Sequence, residues 1–162
     1  MAEKTLLPFI APFKSVVIGT LDSEGRPFSS YAPFVHHDHR FYIFISDIAT
    51  HARNLRRSAD ASLLFIEDEA EAANIFARKR ISLQCRAELI PRDTETFTPV
   101  MAKFGEKFGD GMISMLMKMA DFNLYALTTI GGEATFGFGE AYRVGGDHME
   151  HLLPRQGGSG HK

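Results

Sequence analysis

The chain carries a single cysteine, Cys85, in 162 residues, so no intrachain disulfide can form and a reducing compartment, the cytoplasm, is expected. No apolar run approaches the length needed to cross a bilayer, and the patch after Met1-Ala-Glu-Lys is too short for a secretion signal. The expectation is a protein neither exported nor embedded in a membrane. Several catalytic signatures are missing too. There is no glycine-rich nucleotide loop, no Ser-His-Asp order, no H-E-x-x-H and no paired-cysteine motif, which leaves hydrolase, dinucleotide and iron–sulfur readings without support. What is present is 44% hydrophobic residues, enough for one domain with a full core. The formal charge of -2 hides local bias. Arg53, Arg56 and Arg57 form one basic cluster and Arg78, Lys79 and Arg80 another, while 67–71 is acidic. Segregated charge of this kind suits a small anionic ligand better than a nucleic acid.

Hydrophobic alternation predicts strands over 15–21, 28–36, 41–46, 61–66 and 80–89, with turns at Asp22-Ser-Glu-Gly-Arg-Pro and His36-His-Asp-His-Arg. Ile81, Leu83, Cys85, Ala87 and Leu89 fall on one face of the last of these. A short helix is expected to begin near Phe9, and another to follow Thr50, whose hydroxyl is placed to cap it, ending near Ser58. Helical spacing then runs over 93–108 and 112–119, broken at Gly109-Asp-Gly. Strands over 122–130 and 134–144, around Gly131-Gly132, read as a closing hairpin. Hairpin-linked strands with inserted rather than alternating helices predict an antiparallel barrel with α additions, and exclude a doubly wound sheet. The expected division is a barrel domain over 1–144, with a helical insertion at about 93–119, and a glycine-rich tail over 145–162. No internal repeat or second domain is visible.

Each motif that could carry chemistry has a plain structural reading beside it. His161 ends a Gly-Gly-Ser-Gly hinge; it is either a terminal residue without a role or an imidazole placed to supply an axial nitrogen to a planar cofactor. His148 and His151, in Gly146-Asp-His-Met-Glu-His, have the spacing of metal ligands or of a solvent-facing turn. His36, His37 and His39 read as a polar loop. Ser46-Asp-Ile-Ala-Thr-His-Ala-Arg-Asn-Leu puts a serine at a strand end before a helix N-terminus, with His51 and Asn54 within the helix. Such an end favours a phosphate or propionate, or is simply capped. Arg78 and Arg80 sit at a strand mouth, to pair with an anion or to guard an edge. Asp121 can orient an imidazole or merely turn the chain from helix to strand. The stripe Met112, Met115, Leu116 and Met119 reads as core or dimer packing.

Taken together, Ser30-Tyr-Ala-Pro-Phe-Val, Phe41-Tyr-Ile-Phe-Ile-Ser, Thr50-His-Ala-Arg-Asn-Leu, Ser62-Leu-Leu-Phe-Ile-Glu-Asp-Glu and Ile75-Phe-Ala-Arg-Lys-Arg-Ile-Ser-Leu-Gln-Cys-Arg-Ala resemble the HugZ/HutZ family of heme utilisation proteins. That family lies among the pyridoxamine 5'-phosphate oxidase-like, FMN-binding split barrels. Asp121-Phe-Asn-Leu and Gly137-Phe-Gly-Glu-Ala-Tyr extend the resemblance over most of the chain. It implies a mainly β, six-stranded antiparallel split barrel that forms a homodimer and binds heme b where flavin enzymes hold FMN. It also implies oxidative heme breakdown with O2 and an unnamed electron donor, releasing iron, with no nucleic acid or membrane as partner. By the same resemblance His161 is the heme-iron ligand, and Asp121 its hydrogen-bond partner across the dimer. Arg80 or Arg78 then faces the heme or its propionates, with Ser46, His51 and Asn54 as further cofactor contacts. Lys79 stands where many split barrels have proline, and the arginine and lysine set for a flavin phosphate is incomplete. An FMN-dependent oxidoreductase and a non-catalytic heme carrier therefore remain as alternatives.

Overall fold

Alternation of apolar and polar residues shapes the sheet, and its lapses show where both faces are covered. The computed structural model describes residues 4–155. After a short helix α1 (Leu7–Ile10) come β1 (Ser15–Leu21), β2 (Pro27–His37), β3 (Arg40–Ser46), α2 (Thr50–Arg57), β4 (Asp60–Ile66) and β5 (Arg80–Ile90). Helices α3 (Phe97–Phe108) and α4 (Asp110–Met117) precede β6 (Phe122–Thr135), β7 (Ala141–Gly145) and β8 (His151–Pro154). All pairings are antiparallel in the order β3-β2-β1-β4-β5-β6-β7-β8, and an added β3–β6 pairing closes the first six strands into a barrel. Closure removes the exposed edges that an open sheet would leave.

Strand β6 makes the barrel a split one. Residues 124–135 follow β5, but on the strand's other edge residues 122–127 pair with β3 and 133–135 with β7. The strand thus passes out of the closed barrel between these two stretches. One core fills the barrel, with Ile18, Phe34, Phe41, Ile43, Phe65, Ile81, Leu83 and Leu127 among its members. A second lies outside it, where Phe97, Val100, Met101 and Phe104 on α3 cover Tyr42 and Phe44 of β3 and Leu124 and Ala126 of β6. The 97, 100, 101, 104 spacing is one face of a helix. In β3 the odd residues point into the barrel and the even ones toward α3, so the run from Phe41 to Ile45 is buried throughout.

Several expectations need correction. Gly131-Gly132 is no turn: β6 runs through both, opposite Gln84 and Leu83, and the hairpin lies beyond Thr135. A Cβ on Gly132 would stand 2.4 Å from Ser82 O, so glycine here answers a close backbone approach within the sheet. Thr50 is the first helical residue of α2 and not its cap; Ala49 holds the cap position with extended φ/ψ and no side-chain bond. On β5 the face changes at the end, Leu89 being exposed and Ile90 buried, because the latter joins the second core. Helix α3 starts at Phe97, since Pro91 O first accepts from Thr94 N in a turn. Gly109, at φ 100°, is the sole residue between α3 and α4.

Candidate active site

The residues singled out above fall into three groups. At the head of β6, Ser46 Oγ donates to Asp121 Oδ2 at 2.7 Å, and Asp47 N donates to Asp121 O at 2.8 Å. Ser46 ends β3 and pairs with Phe122, so closure of the barrel is what brings it to a residue 75 positions away. Asp47 extends the group: its Oδ1 accepts from Arg56 Nη2 at 3.1 Å and Asn123 Nδ2 at 2.8 Å. No bond to Asp121 Oδ1 is found among the described residues. The carboxylate is therefore fixed through one oxygen and keeps the other to accept from a ligand or an imidazole.

The second group sits on α2. His51 Nδ1 lies 2.7 Å from Ser30 Oγ, and burial holds its imidazole below the ordinary histidine range, hence neutral at pH 7. Asn54 is buried, and its Nδ2 donates to Thr20 Oγ1 at 3.0 Å, which fastens α2 to β1. The third group is the mouth of β5. Arg78 Nε donates to Glu67 O at 3.1 Å, Lys79 N to Glu67 Oε1 at 2.8 Å, and Arg80 Nη1 to Arg78 O at 2.9 Å. Arg78 is thereby committed to the chain, whereas Arg80 retains Nε and Nη2. Around this mouth stand large exposed apolar side chains, namely Ile75, Phe76, and Phe138 in the turn after Thr135, the residue opposite Arg80.

Within one chain Asn54 and the third group are held apart along β4. Arg80 lies opposite Ile66 at one end, whereas Asn54 bonds Thr20, which adjoins Gly19 opposite Ser62, roughly 13 Å away at the rise of an extended strand. His51 falls between them, since its partner Ser30 faces Ile18 and Ile18 faces Leu63. His161 lies outside the described residues. Among the described residues no group of three or more His, Cys, Asp or Glu side chains is arranged to hold a metal ion. His148 instead stacks on His39, ring centroids 3.6 Å apart, and His151 begins β8. Cys85 is buried in the barrel with its thiol pushed up to about 12, and so is no nucleophile.

Sequence reasoning missed Asp47, Arg56 and Asn123 around Asp121, although Asp47 adjoins Ser46 in a motif already singled out. It also missed the near-buried Glu150, whose carboxylate stands 3.0 Å from His36 Nε2 and 2.7 Å from His39 Nδ1. No local signal pairs residues 111 positions apart.

The arrangement suits a planar, largely apolar anion such as heme. Exposed aromatic and aliphatic side chains flank a guanidinium with unspent donors, and a second site holds a half-free carboxylate able to steer an imidazole.

Comparison with known proteins agrees with the barrel. The family model for pyridoxamine 5'-phosphate oxidase matches residues 2–134. The heme oxygenase HutZ of Vibrio cholerae is 43% identical over 147 residues, which is 91% of this chain and 83% of that protein. A crystal structure of HutZ, described there as the heme storage protein, superposes with a TM-score of 0.75 at 40% identity, over 83% of this chain and 99% of the other. Campylobacter jejuni ChuZ superposes at 0.82 with 32% identity, over 93% of this chain and 60% of ChuZ. A family match over most of the chain, joined to this degree of identity, leads to one conclusion: the chain belongs to the pyridoxamine 5'-phosphate oxidase family, in the branch that contains HutZ.

Proposed function

We propose that two copies of the chain bind heme b between them and open its ring oxidatively, releasing iron. The observation that carries this reading is the Asp121 carboxylate, fixed by Ser46 through one oxygen and unspent at the other. His161 would ligate the iron, and the unspent oxygen would accept the N–H of its imidazole from across the dimer. A carboxylate in that position raises the donor strength of the imidazole and holds its orientation. Arg80 would meet a propionate with its remaining donors, while Arg78, tied to Glu67, holds Arg80 in place through its own carbonyl. His51, kept neutral by burial and anchored on Ser30, leaves Nε2 for the cofactor or a proton. Asn54 would contribute by fixing the helix that carries His51. When bound, heme supplies the redox and oxygen chemistry, and the protein supplies ligation, orientation and exclusion of water.

Two features support a homodimer. Asn54 of α2 and Arg80 lie toward different ends of β4 in one barrel, and a second copy would bring the α2 of one barrel to the β5 mouth of the other. Val17 and Tyr31 face one another across β1 and β2 with 38% and 66% of their surfaces exposed, an outward apolar patch that a partner barrel would cover. The names of the relatives divide between oxygenase and storage protein, and the turnover half of the proposal is what separates them. Titration of the purified protein with hemin should give a Soret band, and ascorbate with O2 should then bleach it with bilin absorbance rising and iron released. A stable band under reduction would show a carrier instead. No hemin binding beside a bound yellow flavin would overturn the reading in favour of an FMN enzyme.

A further inference from the structure

A cavity of about 470 Å³ opens between α1, the end of β2 and the last turns of α3. Leu7, Ile10, Ala11, Phe34 and Val35 give it an apolar floor, and Lys103, Glu106 and Lys107 of α3 stand along it. His36 of β2 completes the lining, its imidazole held below the ordinary histidine range by burial and its Nε2 3.0 Å from Glu150. The cavity volume lies within the range of sites for small organic ligands. The lysines are one helical turn apart, so both ammoniums fall on the same side of α3. Their situations differ. Lys103 pairs with Glu106 at 3.7 Å and is about half exposed. Lys107 has no carboxylate partner among the described residues. Its Nζ lies 3.8 Å from the centre of the Phe34 ring and 5.5 Å from that of Phe108, and it donates to Phe34 O at 2.8 Å.

An ammonium has three N–H donors, and the chain satisfies one of Lys107's. The aromatic faces stabilise the charge in part, but they take no hydrogen bond in the plane of a conventional acceptor. Burial brings the amine of the half-buried Lys107 down to about 8, the response of a cation partly withdrawn from water without an opposite charge beside it. A long, flexible lysine on a helix surface can ordinarily reach solvent; this one is held along the cavity instead. An anion arriving in the cavity would supply the missing charge and accept the unspent donors, while the floor would take an apolar body.

We propose that this cavity is a binding site for small amphipathic carboxylates, with Lys107 pairing the carboxylate and the more open apolar lining of α1, Leu7 and Ala11, taking the aliphatic part. An amine of the same shape would face the Lys107 ammonium and find only Glu106, already paired with Lys103, as an opposite charge.

The probes are octanoate, octylammonium and octanol, titrated calorimetrically into the full chain without added hemin. Octanoate should saturate at one molecule per chain, octanol should bind at least tenfold more weakly, and octylammonium should not bind. Affinity for octanoate should fall by more than tenfold between pH 7 and pH 9.5 as the Lys107 amine loses its proton. Lys107→Met, which keeps the length and apolar stem of the side chain, should abolish the preference for octanoate over octanol. Lys103→Met should leave most of it. Occupancy should also protect Lys107 from acetylation by acetic anhydride, read by peptide mass, which reports on the site independently of heme chemistry. Equal binding of octanoate and octylammonium, an unaltered preference in Lys107→Met, or no saturable octanoate binding in the millimolar range would each overturn the proposal.

Discussion

The two halves of β6 share one strand and one neighbour, β5, yet their environments are opposite. Residues 124–127 are covered on both faces, by the barrel core on one side and by α3 on the other, and none is more than 2% exposed. From Thr128 onward the strand leaves β3, gains a bulge opposite the Gln84/Cys85 step, exposes 53% of Ile130 and runs through two glycines toward Arg80 and Phe138. The first half holds the fold together and anchors Asp121 at its head. The second buries only Thr129 and Ala134 and leaves apolar and cationic groups open at the strand mouth. Stability and binding are thus separated along one element, and substitutions along it should show which half does which.

The largest effect is expected in the covered half. Leu127→Ala removes a side chain at 0% exposure from the barrel core and should cost about 2–5 kcal/mol in urea unfolding. Gly132→Ala sharpens the comparison, because it is the fixed point of the open half: a Cβ 2.4 Å from Ser82 O must displace backbone, with an expected loss of about 1–3 kcal/mol in the same measurement. A smaller effect with a distinct pH signature belongs to Lys107. Its amine titrates at about 8 in the folded chain and near its ordinary 10.5 when unfolded, so between these values the unfolded state binds more protons and stability rises with pH. Thermal melts of Lys107→Met should be flatter than wild type between pH 8 and 10.5 and higher at pH 7. The least change is expected for Ile130→Ser, within about 0.5 kcal/mol in urea. A loss there comparable with Leu127→Ala would erase the distinction between the halves.

Much of this fold was legible in the residues. The strands of the barrel follow from alternation, and β3 reads as buried because Phe41, Ile43 and Ile45 interleave with Tyr42 and Phe44. Gly131-Gly132 misled because glycine pairs mark turns and close strand contacts alike, and only the partner strand distinguishes them. Thr50 misled for a related reason: a threonine next to a helix start is as compatible with the first helical position as with the cap. For the site, Ser46 and Asp121 were each visible as polar residues at element ends, but the bond between them is made by barrel closure, which local pattern does not encode. The Glu150 contacts with His36 and His39 were invisible for the same reason.

The most direct test of the heme reading compares wild type with His161→Ala and Asp121→Asn in a single-turnover reaction with hemin, ascorbate and O2, followed at the Soret band. Wild type should bleach with release of iron. His161→Ala should lose both the axial-ligand spectrum and turnover while remaining folded, and Asp121→Asn should keep the bound spectrum but turn over more slowly. If His161→Ala binds and bleaches hemin as wild type does, the assignment of the ligand and of its carboxylate partner is wrong.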